Sequence, residues 1–152
     1  MATAIAVAGG LLIAQFFTAE RVNSIASSDI AAPPEIESTL RRACYDCHSN
    51  ETRWPWYSGV APVSWIFARE VERGRKQINF SEWGSYYPAT RRRKLQWTSR
   101  AIRAEAMPPW SYRLMHPDSR LTERDRAMLE QWIESQTDDA TPKAESNSQV
   151  SK

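Results

Sequence analysis

The chain has 152 residues, 41% hydrophobic and 25% charged, with 20 Lys and Arg against 18 Asp and Glu. That size fits one domain with short ends, and a net charge of +2 gives no ground for nucleic-acid binding. Five Gly are too few for a phosphate-cradling loop, two Cys exclude a disulfide framework, and seven Trp are too many for a disordered chain.

Residues 2–17 carry no charge and are closed by Glu20 and Arg21. As a helix they span about 24 Å, short of the ~30 Å hydrocarbon core of a bilayer. No Lys or Arg precedes the run, and Ser24-Ile25-Ala26 is a poor cleavage site. Residues 1–20 are therefore read as a membrane anchor, with a cleaved signal or a buried helix as alternatives. Residues 21–33, rich in Ser, Ala and Pro, read as a linker, and residues 137–152 as a disordered tail. The working domain is 34–136.

Within it the pattern predicts an all-α domain of about four short helices. The first opens at Pro33-Pro34, with Ile36, Leu40, Ala43, Cys44 and Cys47 on one face. The second covers 63–73, with Gly74 as its stop. The third runs from about Pro88 to Ala106, with Leu95, Ile102 and Ala106 on a common side. The fourth starts at Thr122, where Thr122 and Asp125 fit a capping arrangement ahead of Leu129, Trp132 and Ile133.

Cys44-Tyr45-Asp46-Cys47-His48 spells C-x-x-C-H, the attachment motif of c-type haem. Two Cys at i and i+3 share one side of a helical turn, so both sulfurs can reach the vinyl groups on one porphyrin edge. His48 follows directly and reaches the iron from one face. A thioredoxin-like pair would need a βαβ setting that the pattern lacks. A zinc site would need four ligands, and the only other His is His116. One covalently held haem c is thus the expected cofactor. Its attachment places the domain on the far side of a bacterial cytoplasmic membrane, in agreement with the N-terminal segment.

The second axial ligand is sought among Met107, Met115, Met128 and His116. Met107 is preferred because Pro108 and Pro109 stiffen the chain beside its sulfur. Met128 adjoins the apolar face of the last helix and reads as core. Trp54 and Trp56, close to the motif, are the strongest aromatic candidates for contact with the haem. Between residues 69 and 103 ten basic residues face three acids, densest at Arg91-Arg92-Arg93-Lys94. Such a run is a solvated helix face, or a docking patch for an acidic redox partner or anionic lipid. Arg53 or one of these arginines could pair with a haem propionate.

Cys44-Tyr45-Asp46-Cys47-His48-Ser49-Asn50-Glu51-Thr52, Trp54-Pro55-Trp56-Tyr57-Ser58, Ala61-Pro62-Val63-Ser64-Trp65, Asn79-Phe80-Ser81-Glu82-Trp83 and Met107-Pro108-Pro109-Trp110 together resemble the bacterial haem-binding domain family. The resemblance covers about residues 34–133. It implies a class I cytochrome c-like fold around one haem, with a membrane helix ahead of it. It also implies a backbone carbonyl that orients the axial His, and by position the Ala61-Pro62 segment is the candidate. The function expected is a non-enzymatic electron carrier, alone or as a subunit of a membrane redox complex. The alternative is a haem-based sensor or small-gas binder with a labile sixth ligand.

Overall fold

A computed structural model of the chain describes residues 1–138, whose regular structure is helical, with one isolated bridge and no strand among the described residues. In chain order the α-helices are α1 (Ala2–Ala14), α2 (Pro34–Ala43), α3 (Tyr45–His48), α4 (Val63–Gln77), α5 (Pro88–Arg103), α6 (Trp110–Met115) and α7 (Glu123–Asp138). Short 3-10 turns occupy Gln15–Phe17, Trp56–Gly59, Trp83–Ser85 and Pro117–Ser119. The four expected helices are present as α2, α4, α5 and α7. Three further α-helices, α1, α3 and α6, join them.

α2 begins at Pro34, whose missing N–H costs nothing in a first turn. Glu35 and Glu37 sit in its first turn and Arg41 and Arg42 in its last, matching the helix dipole. Ile36, Leu40 and Ala43 are buried against Leu95 and Ile102 of α5 and Leu129, Trp132 and Ile133 of α7. α7 is capped as the sequence indicates. The Thr122 N–H donates to Asp125 Oδ2 (2.8 Å), and the Asp125 N–H donates to Thr122 Oγ1 (3.1 Å). Arg42 of α2 reaches the same carboxylate at 3.0 Å and ties the two helices together.

α2 ends at Ala43, so Cys44 and Cys47 do not continue its face as expected, and two further helix ends differ from expectation. α4 does not stop at Gly74 but continues to Gln77. α5 stops at Arg103, so Ala106 lies beyond it and is exposed. The stop is a left-handed residue, Glu105 at φ 51°. The Glu105 N–H returns to the Ile102 carbonyl and the Ala106 N–H to the Ala101 carbonyl, each at 3.0 Å.

Residues 21–33 are not a free linker. The Ser27 and Ser28 N–H groups donate to the Ser81 carbonyl, and the Ile30 N–H to that of Phe80. Ile30 itself belongs to the core. Arg75 of α4 donates to the carbonyls of Val22 and Ser49, holding the strap against the attachment turn. α1 is shorter than the 2–17 run from which it was read, and none of its residues is buried. Among the described residues no helix is long and apolar enough to cross a membrane. The expected tail lies outside the described residues apart from its first two positions, which continue α7.

Candidate haem site

The motif occupies the junction of α2 and α3. Cys44 leaves helical geometry at φ −126° and ends α2, and α3 restarts at Tyr45. The Cys44 carbonyl then accepts from the N–H of Cys47 (3.1 Å) and of His48 (2.9 Å). One turn of chain thereby sets both sulfurs and the imidazole on the same cavity.

α4 packs against this turn so closely that Gly74 has no room for a side chain. A Cβ there would sit 2.9 Å from the Cys47 carbonyl carbon and still nearer its oxygen. The close approach lets the His48 Nδ1–H donate to the Gly74 carbonyl at 2.9 Å, with the Ile78 carbonyl at 3.3 Å. A proton held on Nδ1 leaves the lone pair on Nε2, the nitrogen an iron would take. Phe80 completes the support: its N–H donates to the His48 carbonyl (2.8 Å), and its ring stacks on Tyr45 at 5.5 Å.

The cavity encloses about 1010 Å³ of atom-free space, its open mouth included. Its walls also take in Leu40 and Ala43 of α2, Trp97, Ala101 and Ile102 of α5, and Leu121. Met107, Pro108, Pro109 and Tyr112 line it as well. Cys44, Cys47, His48 and Met107 therefore meet at one cavity, although Met107 lies 59 residues after His48.

The rival ligands lie elsewhere. Met115 is exposed, and Met128 packs against the core. His116 hydrogen-bonds Tyr57 Oη at 2.6 Å and stacks on Tyr112 at 4.3 Å. Met115 and His116 face a separate surface cleft that also contains Arg53.

Two expectations about the surroundings are corrected. Trp54 and Trp56 do not line the cavity. Trp54 turns its indole N–H to Asn23 Oδ1 and its ring edge to Phe67, and Trp56 is exposed. Nearness in sequence to His48 misleads here because Pro55 and the following turn carry the chain away. Trp97, a full helix and a loop further on, is the tryptophan that reaches the cavity. The Ala61-Pro62 segment does not orient His48. Pro62 is exposed, the Ala61 carbonyl accepts from Gln15, and the role falls to Gly74. Arg53 is held by Asp46, its Nε 3.2 Å from Oδ1.

Asp46, the second variable residue of the motif, is buried and lines the cavity. It accepts from the Tyr112 hydroxyl (2.6 Å) and from the Arg53 backbone N–H (3.0 Å). Burial, then the hydrogen bond to Asp46, raises the Tyr112 phenol well above its ordinary value, so it stays a donor. Burial likewise pushes the Cys44 and Cys47 thiols up to about 12 each. A neutral sulfur suits this wall, as a thioether would. Burial holds His48 below its ordinary value, with a smaller push from Lys94, against the raising effect of the two carbonyls.

The donor set fits a c-type haem: two neutral sulfurs one turn apart, an imidazole with its distal nitrogen free of the carbonyl bond, a thioether and a mostly apolar lining. Fold and site together define an all-helical haem-binding protein. The model of the haem-binding domain family matches residues 9–135, and the chain belongs to that family. Comparisons with curated proteins and with solved structures find no match.

Proposed function

We propose that the chain is a monohaem c-type electron carrier, held at a bacterial cytoplasmic membrane by its N-terminal segment, with the haem domain on the periplasmic side. Cys44 and Cys47 would hold the haem by thioethers, and His48 and Met107 would ligate its iron. Bound there, the haem supplies reversible one-electron chemistry at its iron.

The observation that carries this reading is the meeting of Cys44, Cys47, His48 and Met107 at one cavity. The chain's part is to hold geometry and exclude water. Gly74 and Ile78 fix the His48 ring through Nδ1, Pro108 and Pro109 stiffen the Met107 segment, and Leu40, Ile102 and Leu121 keep the walls apolar. His116 lies outside the cavity and is engaged by Tyr57, which argues against peroxidase-like acid–base work and for a carrier. The acceptor or donor is an acidic redox protein or a subunit of a membrane complex that meets basic side chains such as Arg93 and Arg100. Nucleic acid is not a partner.

Optical spectra of the holoprotein in both oxidation states test this. The carrier reading expects low-spin, six-coordinate iron in both, and no carbon monoxide binding to the ferrous form. Rapid carbon monoxide binding would instead make the protein a small-gas binder.

A further inference from the structure

α1 is apolar on every side and none of its residues is buried, so the folded domain does not cover it. Yet its far end is not loose. The Gln15 side chain grips the backbone of Ala61 twice: its amide N–H donates to the Ala61 carbonyl (3.1 Å), and its oxygen accepts from the Ala61 N–H (3.0 Å). The Trp65 indole N–H donates to the Phe17 carbonyl at 2.6 Å. The root of α1 is thereby fixed to the turn before α4 and to the first turn of α4.

At this junction the domain surface is apolar. Phe16 and Phe17 are exposed, as are Trp56, Val60, Val63, Trp65 and Ile66. Further along, the exposed side of α4 turns charged, with Arg69, Arg73 and Lys76 beside Glu70 and Glu72. The order is uncovered apolar helix, Phe pair, Trp-bearing patch, then arginines. That gradient matches the one from hydrocarbon through the aromatic interfacial belt to the headgroup phosphates.

We propose that this patch rests on the lipid surface itself, so that α1 and the face formed by residues 56–66 contact one bilayer and fix the orientation of the domain. The inference rests on the membrane tether proposed above. A bilayer is favoured over a protein partner because the same medium must surround α1 on all sides and continue without a break onto the patch. α4 also carries Gly74, eight residues beyond Ile66, or about 12 Å along the helix axis. The patch would thus hold the His48 side of the cavity at a set height above the membrane.

The test compares two tryptophans of nearly equal exposure in one sample. Trp56 is 79% exposed and Trp110 is 73% exposed. Full-length holoprotein is mixed with vesicles of phosphatidylcholine and phosphatidylglycerol, floated, and footprinted with hydroxyl radicals read by mass spectrometry. The proposal expects loss of labelling at Trp56 and Trp65 while Trp110 and Tyr87 label freely. In Val63→Asp/Ile66→Asp protein, with an unchanged haem spectrum, flotation should persist and Trp56 should label like Trp110. Flotation of the wild type with equal labelling of Trp56 and Trp110 overturns the lipid contact but keeps the tether. Failure to float removes the tether and the contact with it. Protection of Trp56 that survives the double Asp substitution also overturns the proposal, since the patch would then not be what makes the contact.

Discussion

Gly74 does with its backbone what no side chain could do there. Its bare Cα lets α4 touch the Cys47 peptide, and its carbonyl fixes the His48 ring. Gly74→Ala should destabilise the holoprotein by about 1–3 kcal/mol, as over-packing against a rigid backbone does; a thermal melt unchanged from wild type would show that the contact relaxes freely. Met107 is tested by truncation. Met107→Ala should leave ferric iron open to added ligands, abolish the weak sulfur-to-iron band in the near infrared and lower the potential, because a thioether favours ferrous iron. The same band surviving in Met107→Ala and vanishing in Met115→Ala would move the assignment. That Cys44, Cys47, His48 and Met107 share one cavity could be anticipated from the sequence because a fixed spacing and a Pro-flanked Met are local signals. Gly74 was visible only as a presumed helix stop, since a carbonyl that acts through its backbone leaves no side-chain signature. Trp97 and Tyr112 were missed because only tertiary packing brings α5 and α6 to the cavity.

Among the helices, α5 and α7 show how local chemistry frames the site. The end of α5 delivers the chain to Met107 through Glu105, a non-glycine residue in the left-handed region. Glu105→Gly should relieve roughly 1 kcal/mol of that conformational cost, offset in part by loss of the ion pair to Arg126. A higher melting temperature is expected, and a lower one would mean that the Arg126 pair outweighs the strain. The absence of a glycine here is why the sequence ran α5 on to Ala106. At α7, burial tends to raise the Asp125 carboxyl, but hydrogen bonds from Thr122 and Arg42 win and hold it below its ordinary value. A depressed carboxylate stabilises the fold above its unfolded value of ~3.9 and loses that contribution as pH falls through the folded value. Urea unfolding between about pH 5 and about pH 3 should therefore show a steeper acid loss in wild type than in Asp125→Asn; parallel curves would contradict it. The basic run on α5 is only partly a solvated face. Arg91 donates to the Gly84 carbonyl and lies near the Trp83 ring, and Lys94 donates to the Gln77 carbonyl over Tyr86. Arg93 stays exposed and is the residue of that run to neutralise when salt dependence of electron transfer is measured.

For the whole molecule the all-helical class was readable because apolar spacing repeats at helical period through α2, α5 and α7. The strapping of residues 21–33 across the domain was not, since Ser, Ala and Pro look the same in a free linker and in a segment pinned through its backbone. The cavity lies against the core formed by α2, α5 and α7, with Leu40 and Ile102 belonging to both. Cys44→Ala/Cys47→Ala protein should accordingly lose its cooperative melt, because a ligand that binds only the folded chain carries part of its stability; a sharp transition in that variant would show that the helices pack without haem. The most direct measurement is the denatured mass of the expressed holoprotein after extraction with acid and organic solvent. Covalent attachment through both cysteines predicts a chain carrying the mass of one haem, and the same chain without it in the double Ala variant. A wild-type chain stripped to its bare polypeptide mass would contradict the account at its centre.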